Sequence, residues 1–167
     1  MKYLRIAVVL FSAVALLPGN LLAMVPTPLP ALRLTSASGQ SVTNQGLPNK
    51  GNWLLVYVHP RSHFCDDMLK LLQTNDSPSP VAGMVIVVDG SIDDLQGLQA
   101  KYPNLAGAAW YADLNHEAFG ALKLRGFPVV IGVSQQTMEW MLHGVVPDPD
   151  SFRSALNNWL QRGTQSQ

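Results

Sequence analysis

The chain has 167 residues and is formally neutral, with 11 Lys+Arg against 11 Asp+Glu, and it is 47% apolar but only 13% charged. That composition excludes a disordered chain, the length excludes two ordinary cores, and the lack of a basic run excludes an evident nucleic-acid face. A single cysteine, Cys65, excludes an intramolecular disulfide, a zinc-finger framework and a two-thiol redox cycle within one molecule.

Lys2 and Arg5 precede an apolar run at 6–17, which Pro18, Gly19 and Asn20 break before the small residue Ala23. Residues 1–23 therefore read as a secretory signal peptide, with the mature chain starting near Met24. A run of twelve residues is short for a membrane span, which needs about 20. If the segment stays uncleaved, it is the chain's one attachment to a membrane. Its removal leaves 9 basic and 11 acidic side chains, a net charge of −2. An exported chain meets oxidising conditions, where a lone thiol is open to oxidation or mixed disulfides.

Residues 24–30 carry three prolines and are expected to be extended and to lead into the domain. Alternation at 32–35, a turn at Ser38 and Gly39, and a return over 40–43 predict a short hairpin. The unbroken apolar run 53–58 predicts a central strand covered on both faces. A loop through His59, Pro60 and Arg61 follows. Phe64, Met68, Leu69, Leu71 and Leu72 then recur at helical spacing, predicting a helix over 62–73 with Ser62 as its N-cap.

A second buried strand is expected at 84–88, a helix at 91–102 and a third strand at 108–112. A short helix over 115–124 turns Ala118, Phe119 and Leu122 inward. Strands at 129–133 and 137–143 pair through the turn between them. The last helix, 149–162, carries Phe152, Ala155, Leu156, Trp159 and Leu160 on one stripe, and 163–167 is a polar tail. This order argues for a three-layer α/β domain over 31–162, with helices flanking a central mixed sheet.

The stretch 53–65 resembles the strand, loop and helix start of thioredoxin-like proteins, whose motif is Cys-x-x-Cys. Lys123-Leu124-Arg125-Gly126-Phe127-Pro128 is similar to that family's cis-proline loop. The hairpin at 32–43 resembles the N-terminal extension of the TlpA-like branch of secreted thiol-disulfide oxidoreductases, relatives of the peroxiredoxins. The likeness covers about 27–162 of the chain. It implies a thioredoxin-like fold, a protein or peptide substrate outside the cytoplasm, and no cofactor.

The sequence departs from that family at one position. The motif here is Ser62-His63-Phe64-Cys65, so the attacking cysteine is replaced by Ser62 and only the resolving position remains. A hydroxyl cannot enter a disulfide, so dithiol exchange is closed to a single molecule. Cys65 and Ser62 are the candidate catalytic pair. His63, Phe64, Phe127 and Pro128 are the candidate substrate groove, and His59, Arg61 and Arg125 the cations that would favour a thiolate. Asp66 and Asp67 oppose one.

Three readings of Cys65 stay open. It is a small buried hydrophobe, the monothiol site of a variant thiol-disulfide oxidoreductase with weakened or absent dithiol exchange, or the thiol of a one-Cys peroxidase. For the last, Pro60 stands nearer the cysteine than it does in the peroxiredoxins. In the first reading the groove is a non-catalytic peptide-binding module, an adaptor or chaperone. His59, His63 and Cys65, with distant His116 or His143, make a poor metal set, and no metal is expected.

Overall fold

The computed structural model describes residues 21–73 and 80–164. Eight strands among these residues form one mixed sheet in the order β1-β8-β7-β4-β5-β6-β2-β3. They are β1 (Leu21–Pro28), β2 (Arg33–Ser36), β3 (Ser41–Thr43), β4 (Asn52–Val58), β5 (Met84–Val88), β6 (Ala109–Ala112), β7 (Val129–Ser134) and β8 (Thr137–His143). The helices are α1 (His63–Leu72), α2 (Ile92–Lys101), α3 (Glu117–Ala121) and α4 (Pro149–Thr164). Strands β4, β5 and β6 are parallel, and every other pairing is antiparallel.

The apolar runs explain the centre. Every β4 residue from Trp53 to Val58 is buried, and the period of two sends them alternately to two cores. Leu54, Val56 and Val58 meet Met68, Leu69 and Leu72 of α1, Leu95 and Leu98 of α2, and Phe152, Leu156 and Trp159 of α4. Trp53, Leu55 and Tyr57 face Ala118 of α3 together with Leu29, Leu32, Leu34 and Leu47. Three helices thus cover one face, and α3 with the N-terminal approach covers the other. Local chemistry sets the helix starts. Ser91 and Asp94 close a capping box on α2, and the Asp148 carboxylate accepts the Asp150 and Ser151 amides at the head of α4.

Several sequence expectations need correction. The proline-rich segment does more than lead into the domain. It is part of β1, an edge strand on β8, which prolines tolerate because an edge leaves ladder donors unused. The signal segment lies outside the described residues up to 20. α3 is shorter than 115–124, because His116 before it adopts φ 60 and cannot extend the helix. Ala155 is exposed and leaves the α4 stripe. The tail starts later than 163, since Gly163 is buried within α4. A Cβ there would sit 2.1 Å from the Asn52 nitrogen, so only glycine lets α4 close on β4. No helix among the described residues is long and apolar enough to cross a membrane.

Candidate functional site

The ends of the parallel strands step together. The Asp89 amide donates to the Val58 carbonyl and the Asp113 amide to the Val88 carbonyl, both at 2.8 Å. The loops that follow β4, β5 and β6 therefore gather at one edge of the sheet, where α/β folds place their sites.

At the end of β4 the chain turns, and the Ser62 amide donates to the His59 carbonyl at 3.1 Å. Ser62 is extended, so its hydroxyl oxygen accepts the Cys65 amide at 3.4 Å and caps α1. Cys65 on the first turn is 2% exposed. Its sulfur accepts the His59 backbone amide at 3.3 Å. Burial pushes the Cys65 thiol up, against the smaller pull of the His59 amide and the Ser62 hydroxyl.

The groups that favour a thiolate here are the His59 backbone amide and the Ser62 hydroxyl. His59 reaches it through its backbone, while its ring lies 5.2 Å from that of Phe127. Arg61 is exposed, and its charge helps hold the Asp94 carboxyl down, behind the larger effect of Ser91. Arg125 is exposed on the loop before Phe127. The ring of His63 lies 3.8 Å from that of Phe64. Among the described residues, no three His, Cys, Asp or Glu side chains are placed to share a metal ion.

The Asp66 carboxylate fixes α1 from behind. It takes Lys70 at 2.7 Å, and also Lys101 and the Tyr102 hydroxyl beyond the end of α2. Hydrogen bonds from Lys101, then Lys70 and Tyr102, hold its carboxyl far below the usual range. Asp66 thus ties α1 to α2.

The Phe127–Pro128 peptide is cis. Pro128 is buried, and its carbonyl accepts the Gly144 amide at 2.8 Å. The Phe127 ring stacks on Tyr57 at 5.9 Å and tilts against Phe119 at 5.2 Å. Phe64, 45% exposed, borders a groove of about 130 Å³ with Met68, Leu71, Val145, Val146 and Pro149. The groove residues therefore fall into two patches, Phe127 beside His59 and Phe64 beside Val145.

Sequence reasoning missed the polar support behind Phe127. Asp113 is the buried acid of the described core, at 2% exposure. Its Oδ2 accepts the Tyr57 hydroxyl at 2.6 Å and the Phe119 amide at 3.0 Å. Burial first, then Asp113 and Asp89, push the Tyr57 phenol far up, so it stays a donor. Asp89 meets His116 Nδ1 at 2.6 Å, and the His116 ring stacks on Phe119 at 4.1 Å. The one sequence signal was that Asp89 and Asp113 each end a buried strand.

No protein-family model and no curated protein matches the chain, but solved structures do. One is a secreted Mycobacterium tuberculosis disulfide oxidoreductase homologous to E. coli DsbE. It is 15% identical over 76% of this chain and 95% of that one, with a TM-score of 0.61. The thioredoxin domain of a Bacteroides vulgatus thiol-disulfide oxidoreductase is 14% identical over 82% of this chain and 99% of that one, with a TM-score of 0.60. A thioredoxin-family thiol:disulfide interchange protein from Chlorobium tepidum is 14% identical over 82% and 98%, with a TM-score of 0.56. This chain has the thioredoxin-like fold.

Proposed function

We propose that this chain is an exported thioredoxin-fold protein that holds protein or peptide segments at the edge of its sheet without exchanging their disulfides. The observation that carries this reading is Cys65: 2% exposed, with its sulfur bonded to the His59 amide and its thiol pushed up by burial. A nucleophile needs an accessible thiolate, and Ser62 supplies neither a thiol nor a base. The same burial weighs against a one-Cys peroxidase, whose sulfur must meet peroxide. What the fold keeps is a wall. Phe127 is braced by Tyr57 and Phe119, and Phe64 borders an apolar groove. Aromatic anchors of this kind hold a bound segment through apolar area and need no cofactor.

Binding of unfolded, carboxymethylated polypeptide separates this role from a thiol enzyme. Cys65→Ser is expected to bind as well as the wild type, and Phe127→Ala at least tenfold more weakly, as about 1.4 kcal/mol of lost anchoring implies. Loss of binding in Cys65→Ser with the fold intact would return the thiol to the mechanism.

A further inference from the structure

The pairing of β1 with β8 breaks between Ala23 and Thr27. Before the break, Leu21, Leu22 and Ala23 pair with Leu142, Met141 and Trp140. After it, Thr27 and Pro28 pair with Met138 and Thr137. The second half of β1 has its own anchor, because Leu29 is 7% exposed and its amide donates to the Gln136 carbonyl at 2.7 Å. The break spans the expected cleavage point between Ala23 and Met24. Loss of residues 1–23 would therefore remove one half of β1 and leave the other seated. It would uncover β8 at residues 140–142, and an uncovered edge offers free main-chain donors and acceptors to any extended chain.

We infer that export processing opens this edge of β8, and that it then takes an extended apolar segment of a partner polypeptide. The segment runs antiparallel to β8, in the register that Leu21, Leu22 and Ala23 hold before cleavage. Their seating is the argument for the occupant, since the uncut chain fills the place with its own extended, apolar stretch. β8 ends at His143, and Val145 just beyond it lines the apolar groove with Phe64 and Met68. Main-chain bonds supply general affinity, and the groove selects an apolar side chain of the partner on the N-terminal side of the one opposite Leu142. The inference rests on the export reading and is independent of Cys65.

Amide hydrogen exchange at residues 140–142 tests it, on the full chain, on the chain recovered after export, and on full-length Leu22→Pro, which removes a ladder donor without shortening the chain. The probe is the synthetic peptide Leu-Pro-Gly-Asn-Leu-Leu-Ala, residues 17–23. The amides not committed to β7 are expected to exchange at least tenfold faster in the exported chain and in Leu22→Pro than in the full chain. The peptide is expected to restore their protection in the exported chain. Equal exchange in all three proteins, or open amides that the peptide leaves unprotected, overturns the inference. Recovery of intact Met1 from the exported fraction overturns it as well. Repeating the measurement on Cys65→Ser separates this result from the reading of the thiol, because the pattern is expected to be unchanged.

Discussion

The Ser62 hydroxyl oxygen accepts the amide of Cys65 at 3.4 Å. Ser62 thus serves as the cap of α1. On the proposed function, that contact makes the head of the helix structural rather than reactive. The thiol one turn further in stays buried under the His59 amide.

Putting sulfur back at this position tests that reading. Ser62→Cys restores a Cys-x-x-Cys pair at a helix start, where two side chains three residues apart lie on one face. The variant is expected to close a disulfide and to reduce insulin with dithiothreitol, while the wild type stays near the uncatalysed rate. Loss of the cap is expected to cost the reduced variant about 0.5–2 kcal/mol, read by urea denaturation.

Asp66 gives the protein an acid limit. Its carboxyl is held below its unfolded value by Lys101, Lys70 and Tyr102. The tie from α1 to α2 is therefore complete above about pH 4, and its stabilisation is lost as pH falls from there through the folded value. Asp66→Asn is expected to lose about 1 kcal/mol at pH 7, because the ion pairs are partly exposed. Its stability should also fall less steeply between about pH 4 and 2 than that of the wild type, as followed by urea midpoints across that range.

Tyr57→Phe isolates the support of the Phe127 wall. It removes the donor 2.6 Å from Asp113 Oδ2 and leaves that buried carboxylate with the Phe119 amide. An expected cost of about 1–3 kcal/mol, with weaker binding of unfolded polypeptide, would tie the network to the wall. Unchanged binding despite lost stability would make it scaffold alone.

Most of the sheet could be read from the chain because its centre is covered on both faces. The runs 53–58, 84–88 and 129–133 are apolar at every position or nearly so, and they became β4, β5 and β7. β1 escaped because Pro26 and Pro28 read as an extended lead into the domain, and its pairing depends on a partner strand more than 100 residues away. Ser62 as a cap was local and therefore legible. The Tyr57, Asp113 and Phe119 network was not, because its members come from one strand and a later loop and helix that only the tertiary fold brings together. Sequence proximity puts Arg61 near Cys65, and only the fold shows that its charge is also felt at Asp94.

The state of Cys65 in the native protein tests the account most directly. Titration with an aromatic disulfide reagent at pH 8 is expected to find the thiol silent in the folded chain, with one equivalent reacting only after unfolding. Burial raises this thiol above its ordinary value, so the stability it contributes is whole at neutral pH and is lost only as pH rises past about 9. A native thiol that reacts within seconds, with a midpoint below about pH 7 as in activated cysteines, would contradict the account and make Cys65 a nucleophile.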